Sequence, residues 1–445
     1  MSQDLYALAL QAHQAGRLKE AERHYRMMLK ANPRHPVALA NLGALNLQRG
    51  DRREGLKLLD ASLQIAPDQP HALNSRANGL KAAGRYEDAL RDYDRAVRLQ
   101  PDFIDALYNK GVVLHEIGRM EEAATAHDQV LALDPGHAGT LWNKALTLIH
   151  LGRYPEGWAL HEHRWSSEQF AGQREPFAQP LWLGREPIAG KTILVYFEQG
   201  YGDAINALRY ARPLADLGAK VIAWVPPSLS ELAEGVEGVS QVCVSGEPMP
   251  PFDYQAPMMS LPLALGTTFE TIPWDGPYIR APGPSVQKWA DRLGSHPEGK
   301  RRVGVVVSGS ATQKNDHNRS IPLAMMAAAL NRADDNISLQ VEYRPNDRHA
   351  LKSSGLRSFA DQIESFSDTA GLIANLDLVV TVCTSVAHLA GAMGKPTWVL
   401  LCRVPDHRWG LQGETTPWYP SMRLFRQSKA GDWADVMARV KAALA

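Results

Sequence analysis

Cysteine is scarce in this chain. Cys243, Cys383 and Cys402 are the only three in 445 residues, and no two of them form a CxxC pair. Three thiols are too few for a disulfide framework or a cysteine-based zinc site, and a reducing cytoplasm is the expected location. Net charge is missing as well: Lys+Arg and Asp+Glu both number 48. Without an overall basic field, neither nucleic acid nor an anionic membrane is an expected partner. No stretch approaches the roughly 18 uninterrupted apolar residues of a membrane span. Met1-Ser2-Gln3-Asp4-Leu5 lacks the basic-then-apolar order of an export signal, so a non-exported chain is expected. A Gly-x4-Gly-Lys-Ser/Thr loop is absent, which turns the reading away from phosphoryl transfer from ATP. No metal-ligand spacing and no supported Ser-His-Asp or Cys-His arrangement is visible, so no metal, no resident cofactor and no hydrolase is expected.

What the chain has is a period. Gly16, Gly50, Gly84, Gly118 and Gly152 are spaced 34 residues apart, and Pro33, Pro67, Pro101 and Pro135 repeat the interval half a unit out of phase. Small residues hold two further phases, Ala9, Gly43, Ala77, Gly111 and Ala145, then Ala21, Gly55, Ala89, Ala123 and Gly157. A 34-residue period is that of the tetratricopeptide (TPR) repeat, a helix, a tight turn and a second helix. About five units starting at Ser2, Pro36, Pro70, Ile104 and Ala138 fill residues 2–165, the last decaying through Trp158 and Trp165 as a capping unit. Such an array presents a concave surface to another protein. The sixth position of the units carries Ala7, Asn41, Ser75, Asn109 and Asn143. Asn41, Asn109 and Asn143 can hold an extended peptide backbone by their amides or satisfy neighbouring backbone. Asp92-Tyr93-Asp94 reads as a solvated helix face, and His161 and His163 as the surface of the capping unit.

Residues 166–190 lose the period and read as a linker, with Trp182 and Leu183 pinned to a core. Beyond it, short β-branched runs alternate with amphipathic segments, which predicts parallel sheets with crossover helices. Strands are predicted at 192–197, 221–225 and 241–244 in a first half, with helices over 204–217 and 229–234. Strands at 302–307, 338–340, 378–382 and 397–401 follow in a second, with helices over 323–330, 369–375 and 386–393. A hinge is placed at 281–300, and the helix over 432–444 is expected to cross back to the first half. The predicted class is therefore α + α/β, and ligands of such halves bind at the carboxyl ends of the strands, in the cleft between them.

Three loops carry the chemistry. Glu198-Gln-Gly-Tyr-Gly-Asp203 follows the first strand; Gly200 and Gly202 admit a ligand close to backbone N–H groups, and Asp203 is either a helix N-cap or a general base. Ser308-Gly-Ser-Ala-Thr-Gln-Lys-Asn-Asp-His-Asn-Arg319 follows the first strand of the second half, and its Ser308, Lys314 and Arg319 suit a nucleotide diphosphate unless the loop is simply solvated. Thr384, Ser385 and His388 open a helix whose N-terminus favours phosphate, with a structural role for His388 as the alternative.

With these loops in view, residues from about 180 to 444 resemble the glycosyltransferase-like domain joined to TPR arrays in many bacterial proteins. That domain is similar in turn to the lipopolysaccharide heptosyltransferases of the two-lobed, double Rossmann-like GT-B fold. The matching stretches are Glu-Gln-Gly-Tyr-Gly-Asp203, Met-Ser-Leu-Pro-Leu-Ala-Leu-Gly266, Lys-Asn-Asp-His-Asn-Arg-Ser-Ile-Pro-Leu323, Val-Ala-His-Leu-Ala-Gly-Ala-Met-Gly-Lys-Pro396 and Pro-Trp-Tyr-Pro-Ser-Met-Arg-Leu-Phe-Arg426. The resemblance implies an acceptor-side lobe over 191–283 and a nucleotide-sugar lobe over 284–445, performing inverting, metal-independent sugar transfer. It implies Asp203 as base, Arg319 in place of a phosphate-binding Lys, and His388 as the His of the C-terminal motif. The implied partners are a nucleotide sugar as donor and a polypeptide acceptor on the TPR concave face, with flagellin one such acceptor. Two positions depart from the pattern: Cys383 stands where the family usually has Asp, and Val307-Ser308-Gly309 where it commonly has Trp-Ala-Gly. Both lie on the donor side, and they support the alternative of an adaptor that keeps the shape without turnover.

Overall fold

In the computed structural model, which describes residues 2–445 apart from Glu168, Ala171, Pro297, Thr312 and Lys314 and without the side chains of Ser2 and Gln3, the 34-residue periods fold as helix pairs. The pairs are α1 (Ser2–Gln14) with α2 (Leu18–Ala31), α3 (Pro36–Gln48) with α4 (Arg52–Ile65), and α5 (Pro70–Ala82) with α6 (Tyr86–Leu99). Then follow α7 (Ile104–Glu116) with α8 (Met120–Leu133), and α9 (Ala138–His150) with the shorter α10 (Tyr154–His161). The five repeating glycines all have φ between 72° and 86°, the left-handed turn that ends each first helix and that a side chain makes costly. Small residues mark where paired helices touch: a Cβ on Gly43 would lie 2.8 Å from Leu59 Cγ, and one on Gly111 would lie 2.6 Å from the His127 ring.

The array is also laced by charge. Asp92, expected on a solvated face, is only 7% exposed and accepts two 2.7 Å bonds from Arg76, while Asp94 pairs with Lys110 at 2.7 Å. Asp60–Arg76 at 2.9 Å and Asp128–Lys144 at 2.5 Å repeat that second geometry one period away on either side. The difference has a simple origin: Asp92 on α6 faces Arg76 on the first helix of its own unit, while Asp60, Asp94 and Asp128 each face a cation on the first helix of the next unit.

By its contacts the chain divides into Met1–Leu151 with His163–Ala171, and Gly152–Glu162 with Gly172–Ala445. The helix α10, which the period assigns to the array, therefore belongs to the second unit. Tyr154, Trp158 and His161 are 4%, 2% and 3% exposed, so His161 is not a surface residue, although His163 is. Trp158 Nε1 donates to the Thr267 carbonyl oxygen at 3.1 Å, and Ser260 Oγ donates to Glu162 at 2.8 Å.

The second unit opens with β1 (Thr192–Tyr196), α11 (Tyr201–Ala207), α12 (Ala211–Asp216), β2 (Lys220–Val225), α13 (Ser230–Glu234), β3 (Val239–Val244), β4 (Tyr254–Pro257) and α14 (Leu261–Ala264). Its four strands are all parallel in the order β3-β2-β1-β4. The stretch 172–190 is more than a tether: Trp182 N–H donates to the Gln255 carbonyl oxygen at 2.9 Å, and the Phe177 ring packs edge-on against Tyr196, Trp224 and Phe252.

The second half comprises α15 (Gly283–Leu293), β5 (Arg302–Val306), α16 (Asp316–Arg319), α17 (Leu323–Ala329), β6 (Asp335–Ser338), α18 (Pro345–Ser354), β7 (Arg357–Ser358), α19 (Phe366–Ala374), β8 (Leu378–Val382), α20 (Ser385–Ala392), β9 (Thr397–Leu401), β10 (Met422–Arg426) and α21 (Trp433–Leu444). Six parallel strands run in the order β10-β9-β8-β5-β6-β7. Three expectations are corrected. The hinge at 281–300 is largely the helix α15, whose fully buried Trp289 packs against Phe359 and whose Lys288 pairs with Asp368 of α19 at 2.5 Å. The strand expected at 338–340 lies at β6, and Gln340 is turned to the loop after β5. The closing helix α21 does not cross back, because Val436, Met437, Val440 and Leu444 complete a core with Val303, Val380 and Leu400. Among the described residues no helix is long and apolar enough to cross a membrane.

Candidate functional site

Strand order alone selects two places for a ligand. In the first sheet the chain runs outward from β1 through β2 to β3 and returns to β4 on the other side of β1; in the second it runs from β5 to β7 and returns to β8 beside β5. Crevices open at the carboxyl ends of strands where the order reverses. After β1 come Gly200 and, in the first turn of α11, Gly202 and Asp203; after β5 come Ser308, Gly309 and, at the end of α16, Arg319; after β8 come Thr384 and, opening α20, Ser385. Each pair of loops is tied across its reversal. Met259 N–H, after β4, donates to Glu198 at 2.8 Å, and Arg319 Nη1 donates to the Cys383 carbonyl oxygen at 3.1 Å.

The two halves meet at the tip of α11. A Cβ on Gly202 would lie 2.7 Å from His388 Cδ2 and 3.5 Å from the Ser385 Cα, so the missing side chain is what lets α11 reach α20. On one side of that contact the Tyr201 ring, 42% exposed, lies 5.0 Å from the Phe366 ring at the start of α19. On the other, Asp203 Oδ1 accepts from Arg408 Nη2 at 2.9 Å. Three successive residues thus touch the second half, and Asn206, further along α11, donates to the Tyr419 hydroxyl at 2.8 Å. Gln199, just before this tip, is the one described non-glycine residue with positive φ, 62°. A bulky residue holds that conformation at a cost of about 1–3 kcal/mol, a strain that functional turns often carry.

Asp203 sits on the first turn of α11, where Gly200 is the N-cap and the Asp203 side chain reaches back to it. Its Oδ2 accepts from the Gly200 N–H at 3.2 Å, a cap on the first turn, while the side chain keeps 26% of its surface open. Burial raises its pKa, and Arg408 pulls the other way without reversing the direction. Asp406, on the far side of Arg408, goes the opposite way: burial would raise it, but Arg408 and His407 hold its carboxyl well below the usual range. Arg408 is itself only 3% exposed and bridges the two carboxylates.

His388 is enclosed. Its Nδ1 lies 3.0 Å from the Tyr419 hydroxyl, its ring lies 5.1 Å from that of Trp409, and burial pushes its pKa down to about 3. It is a neutral imidazole at physiological pH, able to exchange hydrogen bonds but not to offer a positive charge to phosphate. Ser308 is turned inward, where Gln340 Nε2 donates to its hydroxyl at 2.6 Å. Thr384 caps α20 without a side-chain bond to the helix backbone, and its hydroxyl lies 3.4 Å from that of Thr381. Cys383, in place of a carboxylate, accepts through sulfur from Trp409 Nε1 at 3.0 Å, and burial pushes its thiol up to about 12. Lys314 lies outside the described residues. Among the described residues there is no group of three or more His, Cys, Asp or Glu able to hold a metal ion.

Sequence reasoning overlooked the loop between β9 and β10. It delivers Asp406, Arg408 and Trp409 to the same place, and the available signal was a run Pro405-Asp-His-Arg-Trp-Gly410 at a strand's carboxyl end. It also overlooked Arg209, which donates to the Trp418 carbonyl oxygen at 3.1 Å and to the Tyr278 hydroxyl at 3.2 Å, joining the halves below the site.

In the array, Asn41 Nδ2 donates to its own helix at the Val37 carbonyl oxygen, 2.9 Å, whereas Asn109 donates to Asn74 at 3.3 Å and Asn143 to the Tyr108 hydroxyl at 3.1 Å. All three are half-buried. A groove of about 360 Å³ lies between α3 and α5, lined by Leu47, Gln48, Ser75, Asn78 and Gly79, and none of the three asparagines lines it.

Comparison with known proteins agrees with the array. Two tetratricopeptide repeat profiles match, over residues 12–79 and 74–138. The chain is 24% identical over 315 residues to protein FlbA of Caulobacter vibrioides, covering 64% of this chain and 52% of FlbA. The match thus spans about half the length of that relative, and it is longer than the array alone. Among solved structures, MamA aligns at 19% identity over 38% of this chain and 98% of its own, with a TM-score of 0.33. YrrB, described as a TPR protein with an unusual peptide-binding site, aligns at 18% over 38% and 86%, and a thermophilic TPR protein of Thermus thermophilus at 21% over 38% and 93%, both also at 0.33. The chain carries TPR repeats, and such repeats bind other proteins.

Proposed function

We propose that this chain is a protein glycosyltransferase, in which the TPR array captures a polypeptide and the two-sheet unit transfers a sugar to it from a nucleotide sugar. The observation that carries the reading is the meeting of two strand-order reversals at one place, with a partly open carboxylate on one side and a helix N-terminus and Arg319 on the other. Asp203 is the base: burial raises its pKa, which makes its carboxylate a stronger proton acceptor for an acceptor hydroxyl. The α20 N-terminus and Arg319 hold the diphosphate together with Lys314, and Thr384 and Ser385 line the approach. His388 supports the site from beneath through Tyr419. The transfer is inverting and metal-independent, the GT-B fold is the corresponding architecture, and flagellin is one acceptor of the required kind.

A second reading is an adaptor of the same shape without turnover. It draws on Cys383, whose thiol stays neutral beneath Trp409 where a donor-binding carboxylate is otherwise expected. Thermal-shift measurements with a panel of nucleotides and nucleotide sugars separate the two, because a ligand of the native state stabilises by RT ln(1 + [L]/Kd). A nucleotide-sugar shift that Arg319→Ala removes supports the transferase. No shift with any member favours the adaptor.

A further inference from the structure

We propose that Arg408 is the positioning residue of Asp203, fixing both the direction and the charge of its carboxylate from the other half of the unit. The inference rests on the reading of Asp203 as the base and adds a residue that the cleft motifs do not contain. Arg408 Nη2 donates to Asp203 Oδ1 at 2.9 Å, while Nη1 donates to both Asp406 oxygens at 3.2 and 3.1 Å. The guanidinium cannot swing away easily. Thr416 Oγ1 donates to the Arg408 carbonyl oxygen at 2.6 Å, and Arg426 donates to the carbonyl oxygens of Trp409 and of Gly410, the latter at 2.8 Å. The neighbouring His407 ring packs against Trp158 of α10 at 5.7 Å and against Trp418 at 6.2 Å. The helix that the repeat period assigns to the array thus buttresses the loop that orients the carboxylate.

The surrounding charges define the sign of each perturbation. Arg408 favours ionised Asp203 and Asp406 opposes it. His388 is reached through Gly202, and His407 lies beside Asp406. Arg209 is held below among Tyr278, Trp418 and Tyr419. Removing Arg408 must therefore make Asp203 hold its proton to higher pH, and removing the Asp406 charge must do the reverse.

Carbodiimide labelling of the full-length protein with glycine ethyl ester, followed across pH by mass spectrometry, reads this without a substrate. The tryptic peptide from Thr192 to Arg209 contains both Glu198 and Asp203, so Glu198, held by Met259, is an internal control. Arg408→Gln should raise the pH midpoint of Asp203 labelling by about one unit or more. Arg408→Lys should restore it in large part, and Asp406→Asn should lower it, with Glu198 unmoved in all three. Loosening of the fold would shift both carboxylates in one direction in every variant, so opposite signs at Asp203 alone support the proposal. An unchanged midpoint in Arg408→Gln, or an upward shift in Asp406→Asn, overturns it. Failure of the base reading looks different: Asp203→Asn would then transfer sugar at the wild-type rate while the labelling shifts remained.

Discussion

Gly202 and His388 belong to different halves of the α/β unit and are so close that a Cβ on the glycine would fall 2.7 Å from the imidazole Cδ2. The ring cannot yield, because Trp409 stacks on it and Tyr419 holds its Nδ1. Gly202→Ala should therefore force α11 and α20 apart and cost about 1–3 kcal/mol, the usual scale of overpacking in a close-packed core. Chemical denaturation monitored by tryptophan fluorescence tests this, and a variant as stable as wild type would show that the helices can separate freely.

Asp203→Asn retains an oxygen to accept from the Gly200 N–H, so the cap on α11 and the fold should survive. What it loses is proton acceptance and the charge opposite Arg408. The expected outcome is unchanged nucleotide affinity with transfer reduced by about 100-fold or more, the scale for a lost general base. Calorimetry and a transfer assay with the same nucleotide sugar check the two halves of this statement separately.

How legible was this arrangement beforehand? The array was readable because its signals are local: a glycine at positive φ and a proline two residues past a second helix act through their own backbone, so Gly16 through Gly152 placed every turn. Strands such as β8 and β9 declared themselves as buried apolar runs. The misses were places where tertiary partners decide. Trp158 belongs to the period by sequence, yet Thr267, more than a hundred residues later, claims its indole N–H. Gln340 looked like strand because it continues an apolar run, but its amide is spent on Ser308. Arg408 carried no motif, and only the return of the chain after β9 brings it to Asp203.

Arg319 serves two purposes at once. It clamps the loops after β5 and β8 through the Cys383 carbonyl oxygen, and it lies against Gly309, where a Cβ would collide with its guanidinium. Arg319→Ala should weaken nucleotide binding by about 1.5–3 kcal/mol, the loss of a charge-assisted hydrogen bond. Arg319→Lys keeps the charge but not the fork, and should recover only part of the affinity. Isothermal calorimetry on both variants decides the matter; unchanged affinity in Arg319→Ala would move the diphosphate elsewhere.

The array should be acid-sensitive. Burial pushes His115 down to about 3, with His150 and His127 nearby adding to it, and burial pushes His127 down to about 4, with Lys144 adding to it. Both rings are neutral when folded, while in the unfolded chain they titrate near 6.5. Between those values the unfolded state binds more protons, so stability is full above about pH 6.5 and falls as the pH drops toward the folded values. Each histidine then costs up to about 1.4 kcal/mol per pH unit. Neither His127 ring nitrogen has a hydrogen-bond partner, so His127→Leu should remove one titrating group at little structural cost and roughly halve the slope. Hydrogen exchange of α7 and α8 at several pH values would show it; equal slopes in both proteins would contradict the assignment.

The acceptor surface is the remaining test. Asn109 and Asn143 each reach the first helix of the preceding unit, at Asn74 and at Tyr108, so their amide hydrogens help fix the spacing of successive first helices. Asn41 instead donates to its own helix at Val37. A side-chain amide has two donors and a carbonyl with two lone pairs, so one bond to a neighbour leaves capacity for a peptide backbone laid across the three positions. Asn41→Ala, Asn109→Ala and Asn143→Ala together should lower capture of the protein acceptor by about a hundredfold if each loses one backbone hydrogen bond of about 1 kcal/mol. Nucleotide affinity should be unchanged, because no asparagine of the three belongs to the α/β unit. Calorimetry with the purified acceptor measures both quantities on one protein. Undiminished capture by a folded triple variant would leave these amides a purely structural role and shift recognition to the groove between α3 and α5, where Leu47→Glu is the next variant to make.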